Sequence, residues 1–107
     1  MPAHILEITK DNFEAMAKEH PKLVIDCWAE WCGPCRRMAP IFEKVAEEGS
    51  GKAAFGKMDC DKNKELVKRF KIMAIPTLLL IKEGEVADSV VGLVPKEEIE
   101  AALRKVF

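Results

Sequence analysis

Residues 23–29 read Leu-Val-Ile-Asp-Cys-Trp-Ala, with apolar side chains on both faces that a strand would present. A run of this kind suits a strand covered on both sides, which places it in the middle of a parallel-type sheet with helices above and below. Glu30 and Trp31 follow, and then Cys32-Gly33-Pro34-Cys35. Proline is welcome in the first turn of a helix, where its missing N–H costs nothing. The run is therefore expected to end in a strand-to-helix turn that carries both cysteines. The helix predicted over 33–48 sets Cys35, Met38, Ala39, Phe42, Val45 and Ala46 on one face and stops at Gly49-Ser50-Gly51. Pro40 lies inside it and cannot donate to the carbonyl of Arg36, which predicts a kink.

The other elements follow from periodicity. A short edge-type strand is expected over 4–8. A helix follows over 11–19, introduced by the capping residues Thr9, Asp11 and Asn12 and ended at His20-Pro21. A strand is expected over 53–59 and a short helix over 61–70. A strand over 76–81 turns at Glu83-Gly84 and returns over 85–91 as a hairpin. Pro95 opens a last helix, where Ile99, Ala102, Leu103 and Val106 recur at helical spacing. The order is βαβαβαββα. Helical crossovers make the first three strands parallel, and helices must cover both faces of one mixed five-stranded sheet. The expected class is α/β, with four helices flanking that sheet and a single domain over 1–107.

At 107 residues the chain can build one hydrophobic core but not two. Its 49% apolar and 33% charged residues exclude a disordered chain. With 17 basic against 18 acidic residues and no sustained basic block, no nucleic-acid partner is expected. The most apolar stretches, 23–29 and 72–81, are too short to span a bilayer, so no membrane partner is expected either. The first eight residues lack the charged start and apolar run of a secretory leader. A cytoplasmic monomer is the expectation.

Of the four cysteines, 32 and 35 form the one C-x-x-C, while 27 and 60 stand alone in or beside strand-like segments. A zinc ribbon would need a second such pair, and His4 and His20 are not at finger spacing. A lone C-x-x-C in a βαβ pattern reads instead as a redox pair. The thiolate is the nucleophile in thiol–disulfide exchange. At a helix N-terminus, free N–H groups and the dipole favour negative charge and lower the pKa of Cys32. Cys35, one turn on and on the same face, is placed to attack a mixed disulfide. The alternatives for the pair are an inert buried couple or half of a metal site. Neither a G-x-G-x-x-G run nor a metal-ligand set is present, so no cofactor is implied. Asp26 stands in the most apolar strand, which feeds directly into the cysteine turn. Burial there would raise its pKa and let it take a proton from Cys35 through a water. The alternative is a partly exposed strand aspartate.

The run Trp31-Cys32-Gly33-Pro34-Cys35, with Asp26 upstream and Ile75-Pro76-Thr77 downstream, closely resembles the thioredoxin family. The resemblance extends over essentially the whole chain, through Trp28, Ala29, Glu30, Pro40, Lys57, the Ile-Pro-Thr-Leu-Leu-Leu strand, the turn at 83–86 and Val91-Gly92. It implies the thioredoxin fold and a general protein-disulfide reductase that takes electrons from a thioredoxin reductase and passes them to client disulfides. An oxidase or isomerase of the same fold, or a non-catalytic docking module, are the competing readings. By the same resemblance Lys57 lies near Asp26 and pulls its pKa down against desolvation, a balance left open here; otherwise it is a solvated strand-face lysine. The resemblance also implies a cis bond before Pro76, whose neighbouring backbone pairs with an extended substrate segment; the plain alternative is a proline at the start of a strand. Trp28 is expected in the core. Trp31 is expected at the rim, forming with Gly33, Pro34, Ile75, Pro76, Val91 and Gly92 a flat apolar docking patch. Val91-Gly92 could equally be a bulge at a strand end.

The sequence also departs from the family. Cys27 stands where a large apolar residue is usual, and Cys60 is an additional cysteine. Simple core packing is expected of both. A bridge between them is not expected, because it needs Cα atoms within about 7 Å and side chains that face each other. Oxidation or glutathionylation is open to Cys60 if it is exposed. Met73-Ala74 replaces a more usual basic-Gly pair, and Arg36-Arg37 follows the motif. Both changes bear on the range of partners rather than on the reaction.

Overall fold

The computed structural model describes residues 4–107; residues 1–3, part of the leader reading above, lie outside the described residues. Nine elements follow in the expected order: β1 Ile5–Glu7, α1 Phe13–Glu19, β2 Lys22–Trp28, α2 Gly33–Gly49, β3 Ala54–Asp59, α3 Lys64–Arg69, β4 Thr77–Lys82, β5 Glu85–Val91 and α4 Lys96–Val106. They form one sheet in the order β1-β3-β2-β4-β5. The strands β1, β3 and β2 are parallel, as the helical crossovers require. β4 runs antiparallel to β2, and β5 antiparallel to β4. β2 is thus the central strand, and its apolar character on both faces is what that position demands.

Alternation along β2 divides the core in two. Val24 points to one face, where Met38, Phe42, Val45 and Ala46 of α2 and Ile99 of α4 pack with Phe55, Leu78 and Leu80. Leu23, Ile25 and Cys27 point to the other, where they meet Phe13 and Ala17 of α1, Leu66 of α3, Met58 and Cys60. Phe42 and Phe55 meet edge to face at 6.0 Å between ring centroids. Each fully buried large side chain contributes on the order of 2 kcal/mol, set against the entropy of ordering it. Cys27 and Cys60 are both buried free thiols within the second cluster.

The element ends differ from the sequence reading where polar side chains capture the backbone. α1 starts at Phe13 rather than 11, because the Thr9 hydroxyl accepts from the amides of Asp11 and Asn12 while Asn12 Oδ1 accepts from Thr9 N at 2.8 Å. α3 starts at Lys64 rather than 61. Asp61 N donates to Asp59 Oδ1, and the buried Asn63 donates to Asp59 O and accepts from Lys10 N, all at 2.9 Å. The first strand is shorter than 4–8, with His4 in a turn. At the hairpin, Glu83 and Gly84 both have positive φ (51° and 85°), the conformation whose twist matches the flanking strands. Among the described residues no helix is long and apolar enough to cross a membrane.

Candidate active site

β2 ends at Trp28, the chain turns through residues 29–31, and Cys32 becomes the N-cap of α2. Its backbone is extended (φ −89°, ψ 109°), and its Sγ accepts a hydrogen bond from Cys35 N at 3.2 Å. That amide is one of the N–H groups that a helix leaves unsatisfied at its start. A sulfur in this position receives both the hydrogen bond and the positive end of the helix dipole. Cys32 and Cys35 are joined as a disulfide, with Cα atoms 5.2 Å apart. Each is 3% exposed, so the pair is reached only at its edge. Pro34 sits in the first helical turn as expected, and Pro40 lies within α2. Arg36 Nη1 donates to Glu30 O at 2.9 Å and braces the turn from outside.

The second wall is the approach to β4. The Ile75–Pro76 bond is cis. The Ile75 carbonyl oxygen lies 3.8 Å from Cys32 Sγ, which brings residues 32 and 75 together across 43 positions. The hydroxyl of Thr77 donates to Ala74 O. Gly92 N donates to Pro76 O at 2.8 Å, and Gly92 has φ 95°, which any other residue would adopt only with strain. A backbone requirement at the end of β5 therefore accounts for this glycine.

Trp31, Pro34 and Val91 are exposed and Gly33, Ile75 and Gly92 half-buried, forming an apolar rim around the disulfide. Pro76 is buried, so it supports this surface from beneath rather than lining it. One contact of the rim was not read from the sequence. Trp31 Nε1 donates to Asp61 Oδ2 at 2.9 Å, fixing the indole. Met73, one of the departures from the family, is 95% exposed, more than any other large apolar side chain among the described residues. No spacing signal links residue 31 to residue 61; the contact follows from β2 and β3 being neighbours.

Asp26 is fully buried, and neither carboxylate oxygen has a hydrogen-bond partner. In register it lies between Lys57 of β3 and Leu78 of β4. Burial raises its pKa to about 6, with the Lys57 charge opposing. The balance left open by the sequence is thus decided for desolvation. Lys57 is half-buried, and its ammonium lies 5.1 Å from the centroid of the Trp28 ring, within cation–π range. Trp28 is half-buried beneath the cysteine pair, packing against Ala29, Cys32 and Cys35. Among the described residues no three His, Cys, Asp or Glu side chains are gathered to hold a metal ion.

A disulfide joining two cysteines one turn apart, at the start of a helix and with an apolar rim, is built for exchange with a partner's thiols, and its reduced form for exchange with a partner's disulfide. The family profile described as Thioredoxin matches residues 4–105. The thioredoxins of Staphylococcus haemolyticus and Listeria monocytogenes are each 44% identical over 101 residues, 94% of this chain and 96% and 97% of theirs. That of Alicyclobacillus acidocaldarius is 41% identical over 102 residues, 95% of this chain and 97% of its own. The chain belongs to the thioredoxin family, and with its Cys32–Cys35 pair it is a protein dithiol–disulfide oxidoreductase.

Proposed function

We propose that this protein is a general, cytoplasmic reductant of client disulfides, acting as a single-domain monomer. The reduced form begins the cycle. The Cys32 thiolate attacks one sulfur of a client disulfide; the client S–S bond breaks, a Cys32–client mixed disulfide forms, and the other client sulfur leaves as a thiolate that takes a proton from solvent. Cys35 then passes its proton to the Asp26 carboxylate, and its sulfur attacks Cys32. The mixed disulfide breaks, the remaining client thiolate leaves, and the proton held by Asp26 is the one it requires. The products are a client dithiol and the Cys32–Cys35 disulfide. A thioredoxin reductase returns two electrons and two protons to that disulfide.

The observation that carries this reading is the bond between Cys32 at the N-cap and Cys35 one turn later, with the Cys35 amide on the Cys32 sulfur. A buried carboxyl with a pKa of about 6 is matched to proton transfer near neutral pH. Lys57 modulates that acidity through its charge. The rim of Trp31, Gly33, Pro34, Ile75, Val91 and Gly92, held up by Pro76, receives the extended client segment. Reduction of insulin disulfides by dithiothreitol tests the scheme. Wild type is expected to turn over many times, and Cys35→Ser to stop at a stable mixed disulfide. Equal turnover by both proteins would reject the dithiol mechanism.

A further inference from the structure

Two thiols take no part in the cycle above, and the fold brings them together. Cys27 is in β2 opposite Met58 of β3, and Cys60 follows two residues after Met58, just past the strand's end. Residues 58 and 60 point to the same sheet face as Cys27, into one cluster with Ile25, Leu66 and Leu79. Cys60 N donates to Trp28 O at 2.8 Å, which holds the Cys60 backbone beside β2. Both thiols lie in one buried cluster, brought together across 33 positions of sequence, and each shifts the ionisation of the other. Cys27 also approaches the carbonyl of Ile25 at 3.9 Å. A bridge needs side chains on a common face, and both cysteines project into this one cluster.

We propose that Cys27 and Cys60 are a second redox-active dithiol, converted by a small hydroperoxide into an intramolecular disulfide. Burial selects the oxidant. Cys27 has no exposure and Cys60 has 9%, so a protein or glutathione disulfide cannot align with either sulfur, while hydrogen peroxide is close to the size of water. The outer thiol reacts first. Beside the Cys27 thiol, Cys60 ionises more easily than an ordinary thiol, although burial and the carboxylates of Asp59, Asp61 and Asp26 act against this. Cys27 is pushed the other way, by its interaction with Cys60 and by burial.

The Cys60 thiolate attacks one peroxide oxygen; the O–O bond breaks, hydroxide leaves and takes a proton to become water, and Cys60 becomes a sulfenic acid. Cys27 then gives up its proton as its sulfur attacks the Cys60 sulfur. The S–O bond breaks, a second water leaves, and the two sulfurs are joined. Two thiols and one peroxide have become one disulfide and two waters. The bridge would tie β2, one residue before Trp28, to the turn whose Asp61 holds the Trp31 indole.

The full-length Cys32→Ser/Cys35→Ser protein isolates this chemistry, so the outcome does not depend on the client-reduction cycle. It is treated with hydrogen peroxide while folded, then unfolded, alkylated and weighed intact. The alkylatable thiols are expected to fall from two to none in the monomer, with dithiothreitol restoring both. Adding Cys27→Ser should leave Cys60 at a sulfenic acid that dimedone traps, and adding Cys60→Ser should leave Cys27 unmodified. Two thiols still alkylated after peroxide, or a bridge found only between chains, overturns the proposal. That first readout leaves the pair itself intact, so it stands even if a triple variant fails to fold.

Discussion

Cys32→Ser is expected to lower client reduction by at least about a thousandfold, because it removes the group that forms the first covalent bond. A serine hydroxyl does not ionise near neutral pH, and the Cys35 amide that stabilises a thiolate at position 32 cannot make it do so. Cys35 does not substitute: it lies one turn further into α2 rather than at the N-cap, where the free amides stabilise a thiolate. The two substitutions should therefore differ in kind. Stopped-flow mixing with a disulfide client should show no fast phase for Cys32→Ser, and a full-amplitude fast phase without turnover for Cys35→Ser. A Cys32→Ser protein retaining a tenth of wild-type turnover would assign the attack to another sulfur.

Asp26→Ala should make the protein more stable at pH 8 and slow its exchange reaction. The carboxyl titrates at about 6 in the fold against 3.8 as the ordinary value. A raised carboxyl means the native state holds its proton more tightly than the unfolded chain. Stability is then greatest below about pH 4, falls as pH rises through about 6, and stays reduced above that. The difference corresponds to about 3 kcal/mol of cost for the ionised, unpartnered carboxylate at pH 8. Alanine removes that cost but leaves a small cavity, so a net gain of about 2 kcal/mol is expected. Near pH 3 the carboxyl is protonated in both states, and the gain should vanish or reverse. Urea denaturation of both proteins at the two pH values measures this. An equal effect at both pH values would remove the buried-ionisation explanation, and an undiminished rate of Cys35 attack near pH 7 would remove Asp26 from the proton transfer.

What could be read in advance depended on how local the cause was. The run at 23–29 identified the central strand, because burial on both faces leaves it no other place in a small sheet. Pro34 identified the start of α2, and with it the position of Cys32. The starts of α1 and α3 were misplaced because Thr9, Asn12, Asp59 and Asn63 satisfy backbone groups ahead of the helices, which a propensity reading does not register. The cis bond at Pro76 came from family resemblance, since nothing in Ile-Pro-Thr itself sets the isomer. Register was the least legible level. It decides that Asp26 lies beside Lys57, that Trp31 finds Asp61, and that Cys27 meets Cys60. Each of these pairs joins β2 or the turn after it to β3 or the turn after that, and none has a signature in either segment alone.

The whole reaction depends on the N-terminus of α2 holding Cys32 as an anion. The most direct measurement is the rate of Cys32 alkylation by iodoacetamide in the reduced protein as a function of pH, with the modified residue identified by peptide mass. Half-maximal reactivity is predicted well below the value of about 8.5 for a free cysteine. A midpoint at or above that value would show that the helix does not stabilise the Cys32 thiolate.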